Sequence, residues 1–128
     1  MPDATVLVVD DDPVIQKLLQ VNFEMEGYAV ITASDGEEGL AKARAERPTA
    51  IVLDVMMPKM DGLEVARHLK ADPETKGIPI VLLSAKAQQA DIAAGTNTGA
   101  EEYLTKPFDP LELLERVADL IQRASDGA

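Results

Sequence analysis

No cysteine occurs among the 128 residues, so the chain builds neither a disulfide framework nor a thiolate metal site. No apolar run approaches the roughly 20 residues that cross a bilayer. The start, Met1-Pro2-Asp3-Ala4-Thr5, lacks the basic residues and apolar block of a secretory signal. Basic residues are scarce: 12 Lys and Arg stand against 23 Asp and Glu, a formal net charge of −11. Nucleic-acid binders neutralise phosphates with clustered cations. The cations here are scattered, so direct nucleic-acid binding by this chain is not expected, nor is attachment to an anionic membrane surface. A cytoplasmic protein is the simplest reading.

What is present is an alternation of two kinds of segment. Short, β-branched apolar runs recur at Val6-Leu7-Val8-Val9, Ala29-Val30-Ile31-Thr32, Ala50-Ile51-Val52-Leu53 and Ile80-Val81-Leu82-Leu83, with a weaker fifth at Glu102-Tyr103-Leu104-Thr105. Apolar runs without polar alternation suit strands buried on both faces of a parallel sheet. Between them lie segments of helical period. Asp12-Pro13 supplies an N-cap and a first-turn proline, Val14, Leu18, Val21 and Met25 share one face, and Gly27 stops the helix. Ser34 with Glu37 reads as a capping box opening a second helix to about Glu46. Asp61 with Glu64 opens a third, carrying Leu63, Ala66 and Leu69 to about Ala71. A fourth, rich in Ala and Gly, spans about Ala87 to Gly95, and Asp109-Pro110-Leu111-Glu112 caps a fifth with Leu113, Leu114, Val117, Leu120 and Ile121 as its stripe.

Five β-α units predict an α/β fold with a mostly parallel sheet and right-handed crossovers. The length suits one domain, residues 1–128 with a core over about 4–124.

Ligands of open α/β sheets bind beyond the carboxyl ends of the strands. Those positions hold Asp10, Asp11 and Asp12 after the first run, Asp54 after the third, Ser84 after the fourth and Lys106-Pro107-Phe108 after the fifth. Each has a bland reading alone: Asp12 is a helix cap, and a lone strand-end Asp or Ser is a solvated turn residue. Together they bring carboxylates, a hydroxyl and an ammonium from different loops to one sheet edge. Carboxylates about 4 Å apart repel by roughly 4 kcal/mol at an effective dielectric near 20. Lys106 supplies one compensating charge. An all-oxygen donor set without Cys or His calls for a hard divalent cation as the other, and Mg²⁺ fits best.

At these residues the chain resembles bacterial two-component response regulators, specifically their CheY-like receiver domains. The matching signatures are Val8-Val9-Asp10-Asp11, Leu53-Asp54-Val55-Met56-Met57-Pro58 with Asp61-Gly62, Leu83-Ser84-Ala85, and Tyr103-Leu104-Thr105-Lys106-Pro107-Phe108. The resemblance implies a flavodoxin-like, doubly wound three-layer sandwich with five helices and a five-stranded parallel sheet. The strand order 2-1-3-4-5 is that of flavodoxin and the chemotaxis receiver, taken from the family and not from spacing.

It further implies Asp54 as phosphoacceptor, Asp11 as a direct Mg²⁺ ligand with Asp10 acting through water, and Met56 contributing a backbone carbonyl to the metal. Ser84 and Lys106 match the phosphate-binding hydroxyl and lysine, Ser84 and Tyr103 the switch pair, and Pro107 the site of a cis peptide bond. Expected partners are a sensor histidine kinase or phosphotransfer protein and a downstream protein or missing output domain. The resemblance also implies that the face formed by the fourth helix, fifth strand and fifth helix carries the signal. Glu101-Glu102 stands where aspartates are commoner in the family. The single histidine, His68, is expected at the surface of the third helix.

Two rivals share part of this logic. A Mg²⁺-dependent small-molecule phosphatase with a nucleophilic aspartate needs an acidic residue two positions later, and Met56 stands there. A flavodoxin-like FMN carrier needs a Ser/Thr/Gly-rich loop after the first strand, where three aspartates would repel phosphate. The domain is therefore read as a switch and not as a turnover enzyme, with a fragment of a larger regulator as the alternative.

Overall fold

A computed structural model describes residues 4–126, so the Met1–Asp3 part of the start and Gly127–Ala128 lie outside it. In chain order the elements are β1 (Thr5–Val9), α1 (Pro13–Met25), β2 (Ala29–Ala33), α2 (Gly36–Glu46), β3 (Ala50–Asp54), α3 (Gly62–Ala71), β4 (Ile80–Ser84), α4 (Gln89–Thr96), β5 (Glu102–Thr105) and α5 (Pro110–Asp126). The strands form one sheet ordered β2-β1-β3-β4-β5, and every neighbouring pair is parallel. This is the expected doubly wound architecture.

Because successive side chains in a strand point to opposite faces, the apolar runs feed two cores. Leu7, Val9, Ile51, Leu53, Ile80 and Leu82 meet Leu40 and Ala43 of α2 and Val65, Ala66 and Leu69 of α3. Val6, Val8, Val52, Val81 and Leu83 meet Leu19 and Phe23 of α1 and Leu113, Val117 and Leu120 of α5. Central strands β3 and β4 are buried along their whole length, which is why their sequences show no polar alternation.

Three local expectations change. On α1 the stripe Val14, Leu18, Val21 and Met25 faces solvent, with Val14 72% and Met25 78% exposed. The face that packs is Ile15, Leu19 and Phe23. Both sets have helical period. The inward set wins because Phe23 fills the space beside Tyr28, its ring edge-on at 5.6 Å between centroids. The α2 cap is shifted by one residue: Asp35, not Ser34, accepts from the Glu38 amide, and Glu38 accepts from the Ser34 amide. Helix α4 begins at Gln89, two residues later than expected, and its cap has no side-chain hydrogen bond.

The remaining signals read as expected. Asp12 caps α1 through the Val14 amide, Asp61 caps α3 through the Glu64 amide, and Gly27 ends α1 at φ +94. No helix among the described residues is long and apolar enough to cross a membrane.

Candidate functional site: an acidic cluster at the sheet edge

The carboxyl ends of β1 and β3 are neighbours, with Val9 opposite Leu53. The residues that follow each strand therefore converge. Carboxylate oxygens of Asp10, Asp11 and Asp54 all lie within 4.8 Å of one another. Asp10 and Asp54 are buried, at 1% and 4% exposure, while Asp11 is open to solvent.

Lys106, just past β5, reaches across β4 to bring its Nζ 3.2 Å from Asp54 Oδ1 and 3.5 Å from Asp10 Oδ2. The first contact is a hydrogen bond and the second is too long for one of normal strength. Asp10 Oδ1 accepts from the Asp12 amide at 2.9 Å, but Oδ2 is buried without a hydrogen-bond partner. A buried, unpartnered carboxylate oxygen is costly, and a cation held by the three carboxylates would satisfy it. The donor set therefore fits a hard divalent ion.

Electrostatics agrees with the geometry. Burial, joined by the nearby Asp10 charge, pushes the Asp54 carboxyl up to about 6, and Lys106 offsets this only in part. Burial also raises Asp10, against the Asp12 amide and Lys106. Burial pulls Lys106 down, but the Asp10 and Asp54 carboxylates outweigh it and leave the ammonium strengthened. One cation does not balance three carboxylates.

Ser84 ends β4 and is buried; its Oγ accepts from the Lys86 amide at 3.0 Å. Tyr103 on β5 donates its hydroxyl proton to the Lys86 carbonyl at 2.9 Å. The Lys106–Pro107 peptide bond is cis. Met56 lies in the turn after β3 with its side chain 55% exposed. His68 is exposed on α3, away from the strand ends that form the cluster.

One contributor to the site is not marked by the sequence motifs. The Gln16 side-chain amide donates to the Asp10 and Ala33 carbonyls, each at 3.0 Å, tying the ends of β1 and β2 together. A lone glutamine one turn into a helix carries no sequence signal of that task. Gly62, part of the Asp61-Gly62 signature, shows why that position is glycine: a Cβ there would stand 2.2 Å from the Asp54 carbonyl oxygen.

The comparisons with known proteins converge. A family model described as the response regulator receiver domain matches residues 6–118. The alkaline phosphatase synthesis transcriptional regulatory protein PhoP of Bacillus subtilis is 49% identical over 123 residues, covering 96% of this chain and 50% of that protein. The DNA-binding dual master transcriptional regulator RpaA of Synechocystis is 46% identical over 118 residues, covering 92% of this chain and 49% of that protein. The chain thus spans about half the length of these curated relatives. A CheY-like response regulator receiver domain protein from Methanospirillum hungatei superposes with a TM-score of 0.92 at 28% identity, covering 98% of this chain and 99% of that one. With its fold, its acidic strand-end cluster and these matches, the chain belongs to the response regulator receiver domain family.

Proposed function

We propose that Asp54 accepts a phosphoryl group from a donor phosphohistidine and that the resulting aspartyl phosphate is the signal of a two-component system. The observation that carries this reading is the buried Asp54 carboxylate set between one ammonium and two further carboxylates, one of whose oxygens has no partner. An Asp54 oxygen attacks phosphorus in line with the departing imidazole nitrogen. The O–P bond forms as the N–P bond breaks, and the electron pair leaves on nitrogen. The transition state is loose, so the domain contributes mainly position and charge.

Lys106 Nζ, already 3.2 Å from Asp54, meets the negative phosphoryl oxygens, and the Ser84 hydroxyl offers a further donor. Asp10, Asp11 and Asp54, with the Met56 carbonyl, would hold Mg²⁺, which suits an oxygen donor set and keeps several waters of its own. When bound, Mg²⁺ neutralises the carboxylates and the transferred oxygens.

The donor is a sensor histidine kinase or a phosphotransfer protein. It has to rest beside Asp11, where the exposed apolar stripe of α1 begins at Val14, and we assign that stripe to the donor. Receiver domains of response regulators are signalling proteins, and here the new charge draws Ser84 toward the phosphate and moves Tyr103. Moving such an equilibrium from mostly off to mostly on needs about 5 kcal/mol of differential binding. The changed α4-β5-α5 face then acts on a downstream protein or on an output domain outside these residues. Names such as transcriptional regulatory protein and DNA-binding regulator among the relatives favour a DNA-binding output. At a net charge of −11, the receiver portion itself is not the DNA contact. We place the protein in the cytoplasm.

Incubation with acetyl phosphate and Mg²⁺ is expected to label the domain, and Asp54→Asn to reduce labelling to background. Undiminished labelling of Asp54→Asn refutes the assignment.

A further inference from the structure

Helix α4 buries one residue of its eight, Gly95. A Cβ at position 95 would stand 2.5 Å from Tyr103 Cδ2, 2.7 Å from Tyr103 Cε2 and 3.2 Å from Leu82 Cδ1, closer to the ring than real Cβ atoms come. The edge of the Tyr103 ring therefore rests on the bare Cα of Gly95. Backbone conformation does not require glycine here, because φ of Gly95 is outside the left-handed region. Local helix preference opposes it as well, glycine costing about 1 kcal/mol relative to alanine inside a helix. What position 95 supplies is space.

That space fixes more than the ring. The seated ring places its hydroxyl on the Lys86 carbonyl, while the Lys86 amide donates to Ser84 Oγ. One peptide segment thus joins the aromatic ring to the strand-end hydroxyl. Next to the ring lies a cavity of about 470 Å³ lined by Met56, Met57, Leu63, Ala94 and Tyr103 itself. A ring pushed off Gly95 has somewhere to go.

We propose that Gly95 is a positioning residue of the switch: its missing side chain is the seat that holds Tyr103 against β4 with its hydroxyl on Lys86. Filling that seat drives the ring toward the adjoining cavity with no phosphoryl group on Asp54. The inference rests on the switch role proposed for Tyr103 and deepens it.

The test labels the Tyr28→Phe protein with meta-fluorotyrosine, leaving Tyr103 as the one fluorinated ring, since the chain has two tyrosines. Gly95→Ala is expected to shift that fluorine resonance by more than its line width in unphosphorylated protein, and to move the ring-shifted methyl resonances of Leu82. Fluorine and Leu82 methyl signals that stay in place overturn the proposal. A second arm separates the ring from helix stability. In a Tyr103→Ala background, Gly95→Ala is expected to raise the melting temperature, because the ring is gone, the Leu82 methyl at 3.2 Å has only to give by a few tenths of an ångström, and the helix preference then decides the sign. An equal fall in both backgrounds overturns the proposal, because the effect would then bypass the ring. Neither readout needs phosphate on Asp54, so failure of labelling would refute the proposed function and leave the seat tested.

Discussion

Two lysine-carboxylate sites stand at opposite edges of the same sheet, and they are finished differently. At the amino-terminal edge, Lys70 Nζ donates to the Lys76 and Ile78 carbonyls and to Glu101 Oε2, all within 3.0 Å. Glu101 Oε1 accepts the amide of Ile80, the first residue of β4. The ammonium uses all three of its protons and the carboxylate uses both oxygens. At the carboxyl-terminal edge, Lys106 is shared between Asp10 and Asp54 at longer range, and Asp10 Oδ2 has no hydrogen bond. Complete satisfaction makes a brace. Incomplete satisfaction leaves a site that a ligand can complete.

If that contrast is sound, the two lysines separate cleanly by function. Lys106→Ala is expected to slow acetyl-phosphate labelling about a hundredfold, the usual cost of losing one preorganised charge donor. Lys70→Ala should leave the rate within about twofold and lower stability by about 1 kcal/mol, since it removes hydrogen bonds to the part-buried Ile78 carbonyl and to the Lys76 carbonyl and Glu101, which water can reach. Equal labelling loss in the two variants, read by initial rates, would erase the distinction.

The carboxylates should diverge in the sign of their stability effects. Asp54 titrates near 6 in the folded domain against an ordinary 3.8. Its contribution therefore favours the native state below about pH 4 and is lost as pH rises through 6, on the order of 2–3 kcal/mol. Without Mg²⁺, Asp54→Asn is expected to stabilise the domain at pH 7.5 and to flatten the pH profile between 4 and 6. Glu101→Ala should destabilise it by about 1–3 kcal/mol. Urea melts across pH check both signs.

Smaller effects sharpen the picture around the site. Leu18→Asp, on the exposed α1 stripe, is expected to slow phosphotransfer from the cognate kinase about tenfold while leaving acetyl-phosphate labelling unchanged. Replacing an apolar anchor at a docking surface costs roughly that much. Met56→Asn should shorten the aspartyl phosphate lifetime a few-fold, because an apolar side chain beside Asp54 hinders the attacking water and a polar one does not. A slower or unchanged decay of labelled protein would count against this.

The strand-end rule made the acidic cluster legible: Asp10, Asp11, Asp54, Ser84 and Lys106 each follow an apolar run, and parallel pairing brings those ends together. The β-α alternation was equally clear, since β3 and β4 are buried on both faces. Which face of α1 packs was not, because Val14/Leu18/Val21 and Ile15/Leu19/Phe23 have the same period and only the tertiary neighbours of Phe23 choose between them. The α2 cap was ambiguous for a similar reason, Ser34 and Asp35 both being good caps followed by a glutamate three residues on. Gln16, Lys70 and Gly95 act on residues 17 or more positions from one of their partners, or through the absence of a side chain, and neither leaves a local pattern.

The bare Cα of Gly62 has a directional consequence. With that residue hard against the Asp54 carbonyl, its amide donating to Val55 at 2.8 Å, the flank after β3 is bolted to the acceptor strand. The opposite flank, after β4, hangs on Ser84, Lys86 and a helix that sinks one residue into the core. The carboxylates thus sit between a tightly packed flank after β3 and a lightly anchored one after β4.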